Sequence, residues 1–345
     1  MTEEFIGNRP IRLLLHQSIL AGTLAQAYIF SGPDGLGKKR LALNLARSLN
    51  CRAGSPGLYF CGQCSSCRKI NTGNHPDVQV ILPETKVFKI DQIRQLIQDI
   101  QFLPSEGNRR LFILEGAERM NEEAANSLLK TLEEPPTKSI LVLLTTNFYA
   151  LLPTIRSRCQ IMKFMPIPTT ELEDALVRYH DFTPGDAAKV ARLAHGSLGA
   201  ALELNLETVQ ELEDESFKLL RTMTLADDAD FLEHLSRVAA HWKAETEQAD
   251  LFANILISIL REFIIMEVFK DRDHIVHFGR LETLRELRRS FQDDIVDELL
   301  IDLEGFYRRL KYNINAELGL QNLFLKHRSR ILRRERYDSA RRYQD

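Results

Sequence analysis

Two groups of residues in this chain could do chemistry, and they are near neighbours in sequence. Cys51, Cys61, Cys64 and Cys67 are separated by nine, two and two residues. Four thiolates from a short segment can close a tetrahedron around zinc with no open position, and a Cys-x-x-Cys step folds back so that both sulfurs face one point. Gly62 eases that turn. The Cys61, Cys64, Cys67 triplet also matches part of an iron–sulfur run, but that run continues with a further Cys three residues on and then Pro. Here the fourth thiol lies upstream. Zinc, held structurally, is the expected cofactor, with unliganded thiols as the remaining alternative. Cys159 stands apart and reads as a small packing residue.

The second group is Gly32-Pro33-Asp34-Gly35-Leu36-Gly37-Lys38-Lys39, which fits the phosphate-loop pattern G-x-x-x-x-G-K and then departs from it. Gly32, Gly35 and Gly37 would let backbone N–H groups curl around phosphates, and Lys38 would reach the β and γ oxygens. The next position should carry a hydroxyl that holds Mg²⁺. It is Lys39, whose ammonium cannot ligate a cation. The acidic pair expected after a later strand is also incomplete, because Leu111-Phe112-Ile113-Leu114 runs into Glu115-Gly116. Glu115 could still take a metal, but glycine cannot polarise a water. Two independent losses argue against self-sufficient hydrolysis. Whether ATP and Mg²⁺ still bind is left open by the motif, and the plain alternative is a glycine turn that only joins strand to helix.

These residues need a frame. Tyr28–Phe30 is a short apolar run before the glycine loop, and a helical pattern begins after Lys38. Val78–Ile81, Leu111–Leu114, Ile140–Leu144 and Ile161–Phe164 read as further buried strands. Ile93, Leu96, Ile97 and Ile100, then Ala125, Leu128, Leu129 and Leu132, fall at helical spacing, the second set closed by Pro135-Pro136. Alternating strands and helices predict a parallel α/β sheet covered on both faces, with ligands at the carboxyl ends of its strands. Beyond Pro166-Ile167-Pro168 the pattern is helical only. One helix is expected from Pro184 to His195 with Gly196 just past its end, and a separate bundle from about Leu206.

The 345 residues suffice for two or three domains, and a net charge of −3 excludes a chain that is basic overall. Local basic features are Arg109-Arg110 and the stretch from Lys326 to Asp345, with eight Lys or Arg against three acids. These keep a DNA-binding module in view. The N-terminus has no leader pattern, and the apolar stretch Leu251–Phe269 is broken by Arg261, Glu262 and Glu267. A cytoplasmic protein with no membrane partner is expected, where clustered cysteines mean metal rather than disulfides.

Several longer strings resemble the bacterial clamp-loader AAA+ family. They are Gly73-Asn-His-Pro-Asp77, Asn126-Ser-Leu-Leu-Lys-Thr-Leu-Glu-Glu-Pro-Pro136, Leu152-Pro-Thr-Ile-Arg-Ser-Arg-Cys159, the cysteines inserted after the phosphate-loop helix, and Asn313-Ile-Asn-Ala-Glu-Leu-Gly-Leu-Gln-Asn-Leu-Phe-Leu-Lys326, which resembles a collar helix. The resemblance implies an AAA+ P-loop core over residues 1–165 with a zinc module at about 51–67, a small helical lid over 166–205, and an all-α collar over 206–345 whose tail frays from about 328. It implies gamma/tau motor subunits and a delta subunit as partners, with the sliding clamp and primed DNA met inside the complex. Gly199, in His195-Gly-Ser-Leu-Gly-Ala200, stands where a motor subunit carries its lid arginine, and Thr146-Asn147 resemble the sensor segment. Ser157-Arg158-Cys159 matches the finger motif, so Arg158 is implied to act in trans on a neighbour's ATP. Arg156 reads as structural or as a phosphate contact. The expectation is a non-catalytic assembly subunit; the alternative is an active gamma/tau-type ATPase.

Overall fold

The computed structural model describes residues 5–54, 56–244, 246–268, 277–310 and 315–342. Five strands, β1 (Ala27–Ser31), β2 (Val78–Ile81), β3 (Arg110–Glu115), β4 (Ser139–Thr145) and β5 (Gln160–Lys163), form one sheet in the order β2-β3-β4-β1-β5. Every pairing is parallel; Tyr28 lies beside Val142 and Gln160, and Ile113 beside Val80 and Val142. β1 and β4 are buried throughout, as strands covered on both faces must be. Alternate side chains feed two cores. Tyr28 and Phe30 pack with Leu41 and Leu45 on one face, while Ile29 packs with Leu96 and Leu128 on the other.

The helices that cover the sheet are α1 (Arg9–Ala21), α2 (Lys38–Asn50), α3 (Ser65–Asn71), α4 (Ile90–Asp99), α5 (Glu122–Glu133) and α6 (Pro153–Arg156). All five expected strands occur where the apolar runs place them. Helix α1 was not anticipated: it buries only Ile11 and Leu15, too few to stand out as a periodic face, though Pro10 in its first turn and left-handed Gly22 at its end mark its limits. Helices α7 (Thr169–Tyr179), α8 (Pro184–Leu193) and α9 (Leu198–Glu203) follow. α8 stops short of the expected His195, because His195 and Gly196 both take left-handed backbone. Gly196 is fixed by close approach: a Cβ there would meet the Ile167 carbonyl oxygen at 2.7 Å.

The chain forms two compact units, Met1–Thr183 with Ala194–Glu203, and Pro184–Leu193 with Leu204–Asp345. Segment 166–205 therefore contributes α7 and α9 to the first unit and α8 to the second. The second unit adds α10 (Leu206–Leu225), α11 (Asp228–Ala244), α12 (Thr246–Val268), α13 (Leu281–Ser290), α14 (Asp293–Leu310) and α15 (Ala316–Arg342). α12 holds the most apolar stretch, and its Phe252, Leu256, Leu260 and Phe263 lie inside the bundle core. No helix among the described residues is long and apolar enough to cross a membrane.

Three of the arginines that suggested nucleic acid contacts, Arg109, Arg110 and Arg328, make hydrogen bonds within the fold. Arg328 on α15 is 4% exposed. Its guanidinium donates to the carbonyls of Thr222, Met223 and Ala226 at 2.7, 3.0 and 2.8 Å and to Asp228 at 3.0 Å, stacking on Phe231. It thus closes the end of α10 against the start of α11. The tail beyond Leu332 lies outside the residues whose side chains are described. Arg110 is equally occupied: it is buried, lies over Phe112, and donates to the Asp99 carbonyl at 2.7 Å. Arg109 donates to the Thr137 carbonyl. Both arginines of the Arg109-Arg110 pair thus donate to backbone carbonyls of the chain.

The Gly73–Asp77 string also has a structural explanation. Asp77, 2% exposed, accepts from the N–H groups of Ser105, Glu106 and Gly107 at 2.7, 2.8 and 2.8 Å. Burial alone would raise its carboxyl, but these three donors outweigh that and hold it below its ordinary value. His75 Nδ1 accepts from Asp77 N, so Nε2 carries the proton and donates to Ser66 on α3 at 3.0 Å. A carboxyl depressed in the folded state adds stability that is present above its unfolded pKa and is lost as pH falls through the folded value. Asp77→Asn is therefore expected to cost about 1–3 kcal/mol at neutral pH. The gap from the parent protein should narrow as pH drops below the ordinary carboxylate value of 3.8, as measured by urea denaturation across pH.

Candidate phosphate-loop pocket and cysteine cluster

The phosphate loop leaves the carboxyl end of β1, and α2 begins at Lys38. A cavity of about 580 Å³ opens there, lined by the loop, the end of β3, Thr145-Thr146 and the segment from Leu198. Lys38 is 8% exposed and donates to the carbonyls of Gly32 and Pro33, both at 2.6 Å. Burial lowers its pKa, opposed by Asp34 at 3.6 Å. Lys39 makes a different contact: its ammonium sits 2.8 Å from Glu115 Oε2. The lysine that departs from the motif is thus paired with the acid that could still have taken a metal.

Gly116 follows with left-handed backbone, φ 78°, a conformation that would strain a glutamate. A further carboxylate lines the cavity beside Asp34 and Glu115: Glu118, on the short 3₁₀ turn Ala117–Arg119. It accepts from the Thr146 hydroxyl at 2.8 Å. Burial raises its pKa, but hydrogen bonds from Thr145 and Thr146 prevail and lower it. Its Oε2 is buried without a hydrogen-bond partner. The sequence offered no motif for Glu118; only its place three residues past the strand end was available. Thr146, read as a sensor residue, here positions this acid.

The segment before α9 rests directly on the loop. Ser197 Oγ donates to the Asp34 carbonyl at 3.2 Å, and Gly199 N to the Gly35 carbonyl at 3.0 Å. A Cβ at Gly199 would lie 2.8 Å from Gly35 Cα, and one at Gly35 would lie 2.0 Å from Ser197 Oγ. No arginine fits at position 199 in this arrangement.

Arg158 is not among the cavity residues. It lies after α6, 34% exposed, with Nε and Nη2 on Glu133 at 3.0 and 2.6 Å and Nη1 on the Thr154 carbonyl. Arg156 stacks on Phe148 and Tyr149, a packing role. Cys159 is half-buried against the core, and burial pushes its thiol up to about 12, which leaves it unreactive.

The other four thiols come together, with all sulfurs within 4.8 Å of one another. Cys51 ends α2 and Cys64 caps α3. The chain folds around them by N–H···S bonds: Cys61 N to Cys51, Cys64 N to Cys61 and Cys67 N to Cys64, at 3.3, 3.3 and 3.4 Å. Phe60 lies buried alongside, under the Arg47 guanidinium. Four sulfurs bound to zinc at about 2.3 Å are about 3.8 Å apart, so slight contraction closes the site and the residues fit a metal ion.

A five-stranded parallel sheet in this order, a phosphate loop after β1 and a lid segment laid on it define an AAA+ P-loop module. A Thermotoga maritima protein described as DNA polymerase III gamma subunit-related has this fold, with a TM-score of 0.50 at 21% identity, covering 93% of this chain and 99% of that one. The family model described as DNA polymerase III, delta subunit, matches residues 7–168. DNA polymerase III subunit delta′ of Bacillus subtilis is 30% identical over 90% of this chain and 93% of its own length. Subunit tau of the same organism is 26% identical over 94% of this chain, which spans 61% of tau. The chain belongs to the family of DNA polymerase III clamp-loader subunits.

Without metal the four thiols are unequal. Burial works against ionisation of Cys64, but the Cys67 and Arg52 N–H groups and the neighbouring thiols bring it down to about 6. Burial and the Cys64 contact push Cys67 up to about 12. In metal-free, reduced protein at pH 7, iodoacetamide is expected to label Cys64 ahead of Cys67 and Cys159, and added zinc should suppress that labelling, as read by peptide mass spectrometry.

Proposed function

We propose that this chain is the delta-prime subunit of a bacterial, cytoplasmic DNA polymerase III clamp loader, a member that turns over no ATP of its own. In this reading residues 1–165 are the AAA+ core, 166–205 the lid and 206–345 the collar that joins gamma/tau and delta. The assembled ring places the sliding clamp on primed DNA. The observation that carries the reading is the Lys39–Glu115 ion pair, which fills the metal end of the home site with the chain's own charges. Gly116 and Gly199 remove two further parts that a motor subunit uses. Near-complete mutual coverage with a delta′ relative supports the same assignment.

Arg158 is the residue assigned to act in trans. A planar, permanently charged guanidinium suits charge developing on a γ-phosphate, and its usefulness does not depend on the home site. The bond to Glu133 is solvent-exposed and so weak enough to exchange for a neighbour's phosphate. The cysteine cluster is assigned to one structural zinc, and metal analysis of protein purified under reducing conditions should give about one equivalent of zinc per chain, the load of a single closed four-sulfur site; iron, or no metal, would refute that.

The isolated chain should hydrolyse no more ATP than a Lys38→Ala control. Reconstituted with gamma/tau, delta, clamp and primed DNA, Arg158→Ala should slow turnover with assembly and metal content intact. The fall should be smaller than the ~10³–10⁵ of a lone finger, since only one site of the ring is affected. Arg158→Lys should restore it only partly. Turnover by the isolated chain would favour the active gamma/tau-type reading, and full activity of the Arg158→Ala complex would make this arginine structural.

A further inference from the structure

A P-loop module ordinarily takes its polyphosphate together with Mg²⁺, held by a hydroxyl after the loop lysine and an acid at the end of a later strand. Mg²⁺ requires an octahedron of oxygens at about 2.0–2.1 Å. Here the hydroxyl position is Lys39, and its ammonium lies 2.8 Å from Glu115 Oε2, the acid that would hold the ion. An ammonium offers N–H donors and no lone pair, so it cannot ligate Mg²⁺ and repels it. The ion does not fit this site.

The rest of the cavity still suits an anion with an apolar end. It measures about 580 Å³, within the usual size of small-ligand sites. Lys38, Lys39, Arg40 and Arg119 line it against Asp34, Glu115 and Glu118, a balance of cations. Phe5, Ile6 and Leu202 supply an apolar wall. Of the three ammonium hydrogens of Lys39, one serves Glu115, leaving two for phosphate oxygens. We propose that this pocket binds a nucleoside polyphosphate in its magnesium-free form, with the Lys39 ammonium in the place of the divalent ion. The inference rests on reading the site as one without turnover, but it is independent of Arg158.

Calorimetric titration of the full chain with ADP, at matched ionic strength, separates the cases. Affinity in magnesium-free buffer should exceed that in excess Mg²⁺ by about tenfold, inside the range usual for two coupled ligands. Lys39→Thr, which restores a hydroxyl and frees Glu115, should reverse the preference. Lys39→Thr combined with Glu115→Gln should lose that reversal. Lys39→Gln, which removes charge without supplying a ligand, should weaken magnesium-free binding. No binding without Mg²⁺, equal affinity in both buffers, or a Lys39→Thr variant that still prefers magnesium-free ADP would each overturn the proposal. ATP turnover by the isolated chain would instead overturn the non-catalytic reading beneath it.

Discussion

Close packing against the three glycines of the phosphate loop governs the first unit. Three parts of the chain converge on that loop from different directions: the N-terminal segment through Phe5, the end of β5 through Phe164, and the lid through Ser197 and Gly199. A methyl group added at Gly32, Gly35 or Gly37 would meet one of them within 3 Å. Interiors packed at this density give way in steps rather than smoothly. The loop therefore works as a junction whose geometry is set by its neighbours. Gly199 N and Ser197 Oγ both donate to carbonyls of the loop, so this segment is bonded to the loop directly.

That constraint explains why catalytic parts are missing in a correlated way. Once Gly199 lies on Gly35, an arginine at that position has nowhere to go. Once Lys39 faces Glu115, the two charges satisfy each other across the gap between α2 and β3. At half exposure such a pair adds little stability. Its importance is chemical, since it decides which ions the cavity accepts. Glu118 adds a carboxylate bonded to Thr146, two residues past Gly116.

Much of this was legible in the residues. The strands are short apolar runs, the central β1 and β4 buried throughout, and such runs are hard to mistake when glycine or proline bounds them. The cysteines declared themselves by spacing. What stayed hidden was pairing between distant positions. Lys39 and Glu115 are 76 residues apart; alone, Lys39 looked like simple loss and Glu115 like an acid still able to take a metal. His75 and Asp77 read as a family string, and only the fold showed that they tie α3 to β2 and to the turn at Ser105–Gly107. Arg110 and Arg328 looked like charges for DNA and proved to be buried hydrogen-bond donors. Sequence reports charge; burial and partners decide what a charge is for.

Helix α2 begins at the phosphate-loop lysine and ends at the first cysteine of the cluster. Its 13 residues make a stiff rod about 20 Å long. Asn50, in its last turn, also pins it to the chain at Asn108 and Arg109. The four-thiol cluster at one end and the glycine loop at the other are thus joined by the same strut. The cysteine cluster and the cavity therefore share one rigid element, and the position of Lys38 and Lys39 is set at both ends of that helix.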